Sequence, residues 1–360
     1  MTTQHAIADR RGVTCAILAA VLFGASTPLA KLLLRDVSPT LLAGLLYLGS
    51  GAGLGVWALL RRRTAENAEA KLARRDLPWL ALVVLFGGVL GPLLLMWGLA
   101  RTPASTSSLL LNLEGVLTAL LAWFVFRENF DRRIAIGMAA IVAGGVLLSW
   151  GGTPTLGAGR FDVLLGPLLI AGACLAWALD NNLTRKISAA DPVQIAAVKG
   201  LIAGATNTAI GLALGGFAPG VGVIALAGAL GLASYGVSLV LFILGLRHLG
   251  SARTGAYFST APFVGAVLAI ALLAEPITPA LLGAAALMGL GLWLHLTEQH
   301  CHEHVHPYLE HEHWHEHDEH HQHEHPPGID PRGPHSHPHV HLPMKHTHAH
   351  YPDIHHQHGH

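Results

Sequence analysis

Charge is what this sequence has least of. Asp, Glu, Lys and Arg together make up 12% of its 360 residues, about half the share of an ordinary soluble domain. Hydrophobic residues reach 52% and mean hydropathy is +0.47. A chain this poor in charge suits the bilayer as its solvent. Excess basic charge is missing too: 22 Lys and Arg face 22 Asp and Glu, so nucleic acid is excluded as a partner. The three cysteines, Cys15, Cys174 and Cys301, have no CxxC spacing and imply no disulfide framework. No HExxH, no Ser/His/Asp arrangement and no phosphate-binding glycine loop stands in a plausible context, which argues against an enzyme and an ATP-driven pump.

What is there is one apolar run after another. About 20 mostly apolar residues cross the hydrocarbon core. Spans are predicted at Val13–Leu34, Leu41–Leu60, Leu77–Leu99, Ser105–Phe126, Ile134–Trp150, Val163–Leu183, Val193–Leu214, Val223–Leu244, Ala256–Leu273 and Ala280–Leu296. Arg10 and Arg11 before the first run resemble a signal peptide, but the run continues through Pro28 and Lys31 without a clear cleavage site, so it reads as an uncleaved helix. The 41 glycines suit close helix packing in lipid, where small residues let backbones approach.

Cytoplasmic loops retain Lys and Arg. With ten spans, Arg10/Arg11, Arg61/Arg62/Arg63 with Lys71, Arg74 and Arg75, Arg127/Arg132/Arg133, Arg185/Lys186 and Arg247/Arg253 all fall on one side. That predicts a multi-pass protein of the inner membrane with both termini cytoplasmic.

The second half repeats the first. Leu94-Leu95-Met96-Trp97-Gly98-Leu99 aligns with Leu241-Phe242-Ile243-Leu244-Gly245-Leu246. Without a gap, Asn112-Leu113-Glu114-Gly115 then meets Ser259-Thr260-Ala261-Pro262, and Glu128 meets Glu275. Five spans per copy is an odd number, so the second copy enters the membrane the other way up. Inverted repeats of this kind accompany alternating access around a midplane site.

The run from Ala20 to Lys31, with Phe23-Gly24-Ala25-Ser26-Thr27-Pro28 inside it, and the Leu-Glu-Gly…Ala-Leu-Leu-Ala-Trp…Arg-Glu pattern from Leu113 to Glu128 resemble the EamA domain of the drug/metabolite transporter (DMT) superfamily. The resemblance covers about Gly12 to Leu296. It implies a ten-helix inverted-repeat permease with a cavity lined mainly by helices 1, 3, 4, 6, 8 and 9. Where the family often has Glu-Pro, this chain has Glu114-Gly115, and it keeps Pro262 in the second copy, so a helix break is expected to be weaker in the first repeat.

Charges in the hydrocarbon region cost roughly 2.5–3.5 kcal/mol each on insertion scales and need a cavity, a partner or the interface. Glu114 lies mid-span, with Ser107 and Thr118 at helical spacing and Asn112 beside it. This reads either as a polar stripe facing a cavity or as a carboxyl satisfied by neighbouring amides and hydroxyls. Lys199, with Asn207 along its side, lies at a depth similar to Asp180, beside Asn181, and pairing would relieve both charges. Lys31 stands near the outer end of the first helix, able to snorkel and also beside the cavity the resemblance implies.

From His300 onward the composition changes. The chain has 26 His, and only His5, His248 and His295 lie outside this tail. They alternate as His300, His302, His304, His306, then His311, His313, His315, His317, then His335, His337, His339, His341. Low hydrophobicity leaves no packed core, so the tail is expected to be disordered without a ligand. Neutral imidazoles can take Zn, Ni or Co.

The reading is an all-α integral membrane fold with these parts: cytoplasmic N-terminus 1–12, first repeat 13–150, periplasmic linker 151–162, second repeat 163–296 and His-rich cytoplasmic tail 297–360. Its function is expected to be secondary active transport, as an exporter of small metabolites or amphipathic compounds. One alternative is divalent metal efflux with the tail as collector or sensor; another is a metal-sensing membrane receptor. Expected partners are the lipid bilayer, a small-molecule or metal cargo and, as an open option, a second copy in a homodimer. No cofactor is required, beyond a divalent metal that the tail can bind.

Overall fold

The computed structural model describes residues 3–62, 72, 74–126, 132–150, 160–187, 191–217, 219–297, 301–306, 309–315, 335–341 and 344–349. Among them ten helices are long and apolar enough to cross a membrane: Arg11–Leu33, Pro39–Leu60, Arg74–Arg101, Ala104–Leu121, Arg132–Trp150, Phe161–Thr184, Pro192–Ala213, Val221–Gly245, Thr254–Leu273 and Pro279–Leu296, here spans 1 to 10. The number and order are those the hydropathy predicts. Proline stands at or next to the first position of spans 2, 7 and 10, where its missing N–H costs no helical bond. Asp191 caps span 7 by accepting from the N–H of Val193, and the Thr278 hydroxyl caps span 10 by accepting from Leu281 N–H.

Glycine decides where the spans touch. A Cβ on Gly200 of span 7 would sit 2.7 Å from Gly51 Cα of span 2, and one on Gly211 would sit 2.9 Å from Leu41 N. Spans 5 and 10 meet likewise at Gly137 and Gly291, and spans 1 and 9 at Gly24 and Gly265. Pairs 2/7 and 5/10 join equivalent helices of the two halves. The core fills with Leu42, Leu46, Leu95, Met96, Leu99, Leu109, Leu110, Ile170 and Met288, whereas Val56, Phe124, Val267 and Leu282 are exposed, as lipid-facing positions should be.

The repeat recurs in local backbone. Span 3 contains a π-helical segment at Val84–Leu90 and span 8 one at Leu232–Val237. The register that aligns Leu94 with Leu241 also aligns Leu90 with Val237. Each segment closes with a bond to the fifth residue back: Gly91 N–H to Phe86 O, and Ser238 N–H to Ala233 O. Spans 4 and 9 both break, at Leu111–Asn112 and at Ser259–Thr260, again aligned within a residue. The weaker break expected in the first repeat is corrected here. Asn112 turns its amide onto Leu109 O (2.9 Å), as Ser259 and Thr260 turn their hydroxyls onto Ala256 O and Tyr257 O. A side chain that binds its own backbone interrupts the helix without proline.

The backbone is helical from Ser238 to Phe258, yet spans 8 and 9 fold back on each other, with the Phe242 and Phe258 rings 4.8 Å apart. Arg133, at the start of span 5, donates to the Thr297 hydroxyl (2.5 Å) and stacks over Trp293 at the end of span 10. Those two ends therefore share one face of the bundle, as alternating crossings require.

In the tail, Cys301–His306 pairs antiparallel with Met344–Ala349, and Leu309–His315 with His335–His341. Composition alone led to an expectation of disorder there. The alternation of His with other residues has the period of a strand, and over these segments the backbone takes that form. The remainder of the tail, with His300 and His317, lies outside the described residues.

Because Gly200 meets backbone rather than a flexible side chain, Gly200→Val should separate spans 2 and 7 and destabilise the fold by about 1–3 kcal/mol. Thermal unfolding in detergent checks this; an unchanged midpoint would contradict the close approach.

Candidate functional site

The site grows from the π segment of span 3. An extra residue in that turn releases carbonyls from the helical ladder, and in hydrocarbon each needs another donor. Gly87 O accepts from the Tyr47 hydroxyl of span 2 (2.9 Å) and from Trp177 Nε1 of span 6 (3.1 Å). Asn207 of span 7 donates to Gly88 O (3.2 Å). Only glycine fits at 87, since a Cβ there would run into the Asp180 carboxylate. Spans 2, 3, 6 and 7 are thus tied at one point.

On that point sits the ion pair expected from the sequence. Lys199 Nζ donates to Asp180 Oδ2, the side chains being 19% and 8% exposed, and Thr184 donates to the other Asp180 oxygen. Each charge has found its opposite.

Glu114 has not. It lies just beyond the break in span 4, half-buried, and its Oε1 accepts from Asn181 Nδ2 of span 6 at 2.9 Å. The same amide lies 3.4 Å from the Thr118 hydroxyl, and Asn182 donates to Thr118 O. Among the described residues no cation lies within ion-pair distance of Glu114. Asp180 directly precedes Asn181 on span 6, and Gly87 lies against both the Asp180–Lys199 pair and the Tyr47 hydroxyl. The carboxylate therefore stands at a contact between the two halves with neutral donors only.

The other candidates are placed elsewhere. Ser107 is fully buried and donates to Pro103 O; the break at Leu111–Asn112 separates it from Glu114's helical face. Asn112 is consumed by the break itself. Lys31 does not snorkel: its ammonium donates to Leu99 O (2.5 Å) and Thr102 O (3.0 Å), covering carbonyls at the end of span 3. Beyond the two-residue turn, Glu275 accepts from the N–H groups of Ala104 (2.6 Å) and Ser105 (2.8 Å), capping span 4. A cation on a helix C-terminus and an anion on an N-terminus both complement the helix dipole. Together they fasten the 3–4 turn to span 1 and to the 9–10 connection. Among the described residues no three His, Cys, Asp or Glu side chains gather as if around an ion.

Sequence reasoning missed the aromatic residues. Ring centroids run from Tyr47 to Tyr235 (5.4 Å), Tyr235 to Phe23 (5.9 Å) and Phe23 to Phe258 (5.3 Å), joining spans 2, 8, 1 and 9. Tyr235 lies in the second π segment. The adjacent pair Gly87-Gly88 was the one sequence signal that backbones or side chains crowd there.

A model of the EamA-like transporter family matches residues 10–150 and again 164–297. The chain belongs to the EamA-like transporter family. This EamA-like transporter is similar to an uncharacterized transporter of Methanothermobacter thermautotrophicus, 30% identical over 292 residues that cover 74% of this chain and 80% of the relative. It is also similar to the probable 4-amino-4-deoxy-L-arabinose-phosphoundecaprenol flippase subunit ArnE of Pseudomonas aeruginosa, 44% identical over 92 residues, 26% of this chain and 74% of the relative. A crystal structure shares its fold at a TM-score of 0.57 and 20% identity, covering 78% of this chain and 95% of the other. The EamA-like transporter is thus a multi-pass membrane protein of a transporter family.

Breaking a buried pair by removing one partner costs about 3–5 kcal/mol, because the other charge is left alone. Asp180→Asn and Lys199→Met should each lower the unfolding midpoint in detergent, and the double variant should recover most of the loss. A double variant no more stable than either single one would show that the two are not coupled.

Proposed function

We propose that this chain is a secondary active exporter of small metabolites or amphipathic compounds, with both termini cytoplasmic, working by alternating access around Glu114. The observation that carries the reading is the Glu114 carboxylate. It is half-buried and held across spans 4 and 6 by a neutral amide. A charge kept in the hydrocarbon region without a countercharge is costly, and such residues mark transport pathways.

Several features support it. The two family-model matches and the paired π segments and breaks give two five-span halves, which an odd count inserts in opposite senses. Irregular helices near the midplane form binding sites in transporters so built. The Lys31 and Glu275 contacts hold the 3–4 turn down on the face expected to be outer, and a cycle that opens that face has to release them. The ArnE relatives are named as probable subunits of a 4-amino-4-deoxy-L-arabinose-phosphoundecaprenol flippase, a name that favours amphipathic cargo over inorganic ions. Divalent metal as cargo gains nothing from the spans. Metal binding by the tail is a separate property, favoured by the register that sets His311, His313 and His315 opposite His339, His337 and His335.

Counterflow in proteoliposomes against a panel of amino acids, amphipathic compounds and divalent metals tests the reading. Glu114→Gln should reduce exchange at least about tenfold while Lys31→Ala, measured on folded protein, reduces it less. Undiminished exchange by the Gln variant, or no exchange of any cargo by the natural chain, would overturn it.

A further inference from the structure

We propose that the cargo carries an ammonium group, bound at the Glu114 carboxylate, with an apolar body lying along the Tyr47–Tyr235–Phe23–Phe258 aromatic line. This rests on the transport reading above and adds the chemical class of what is transported.

The first ground is charge. Glu114 has donors in Asn181 and, through it, a link to Thr118, but the nearby cation Lys199 is engaged by Asp180. With Asp180 and Lys199 cancelling each other, the carboxylate form of Glu114 leaves one negative charge at the contact between the halves, and a cation is the ligand that stabilises that form. A cationic ligand completes that balance. An anionic ligand would meet the carboxylate with no spare cation to offset it among the described residues, and like-charge juxtaposition is strongly disfavoured.

The second ground is what surrounds that charge. Tyr47 is buried and its hydroxyl is fixed to Gly87 O, beside the Asp180 carboxylate whose chain neighbour Asn181 holds Glu114, so its ring anchors the line at the carboxylate's end. From it the rings of Tyr235, Phe23 and Phe258 continue across spans 8, 1 and 9, all three half-buried. Phe23 meets Tyr235 edge to face at 89°, so neighbouring faces are not all covered by one another. Aromatic faces attract ammonium groups and alkylammonium methyls, and they bury the apolar remainder of an organic cation. A hydrated metal ion gains little from such a surface, and a single carboxylate with one amide is a poor oxygen set for it.

The test is binding to the purified full chain in detergent, by titration calorimetry. The probes are phenethylamine, benzyltrimethylammonium, N-acetylphenethylamine and 3-phenylpropionate. Both ammonium probes should bind saturably, and the neutral amide and the carboxylate at least about tenfold more weakly. Glu114→Gln should weaken the ammonium probes by a similar factor and leave the amide unchanged, whereas Glu114→Asp, which keeps the charge, should retain most of the preference. Tyr235→Leu should weaken both ammonium probes several-fold with the preference for charge intact. Amide or carboxylate bound as tightly as the amine, or ammonium binding untouched by Glu114→Gln, would overturn the proposal. Either result would leave the counterflow test of transport standing on its own. Loss of binding by every variant, including Glu114→Asp, together with a lowered unfolding midpoint would assign Glu114 to structure and also overturn it.

Discussion

Inside a bilayer no water is available to bind a backbone carbonyl that the helix has released, so each one dictates a partner. The π segment of span 3 releases carbonyls at Gly87 and Gly88, and the side chains that answer come from spans 2, 6 and 7. Tyr47, Trp177 and Asn207 are thereby fixed in position. Much of the site follows from this requirement. Trp177 and Asp180 are less than one turn apart on span 6, and Asn181 follows directly, so tying Trp177 to Gly87 also aims the polar end of span 6 at Glu114.

The two charged features at this level differ in kind. Asp180 and Lys199 neutralise each other against a glycine that leaves no space for anything else. That arrangement is finished without a ligand. Glu114 is held by an amide alone at a junction between halves, just beyond a helix break. A rigid, satisfied pair next to a carboxylate without a countercharge separates the part that holds the structure from the part that meets cargo. Lys31 and Glu275 belong to the first kind, although each lies on an element that a change of access would have to move.

The fold was legible because its signals are long. Apolar runs, the one-sided arginines and the gap-free register from Leu94 and Leu241 each extend over many residues, and lipid leaves a chain of this composition few alternatives. The pairing of Asp180 with Lys199 was legible for a related reason: two opposite charges at one depth have little else to do. The site was less so. Ser107 shares a helical spacing with Glu114, but the spacing fails because Asn112 breaks the helix between them. Lys31 suggested snorkelling, and nothing in its neighbourhood in sequence revealed the carbonyls of Leu99 and Thr102. The aromatic line depends on which spans pack together, and single rings in apolar runs carry no mark of that. In the tail, composition gave an expectation of disorder, and the His alternation that the paired segments share was read only as a ligand pattern.

Thr118 offers the most direct measurement of the central claim, that the carboxylate site is reached alternately from the two sides of the membrane. It is half-buried and its hydroxyl faces the Asn181 amide that holds Glu114. In a chain with Cys15, Cys174 and Cys301 replaced by Ser, Thr118→Cys should react with an impermeant thiol reagent added to either side of oriented vesicles, and bound cargo should slow both reactions. Labelling from one side only, at a rate indifferent to cargo, would contradict the account.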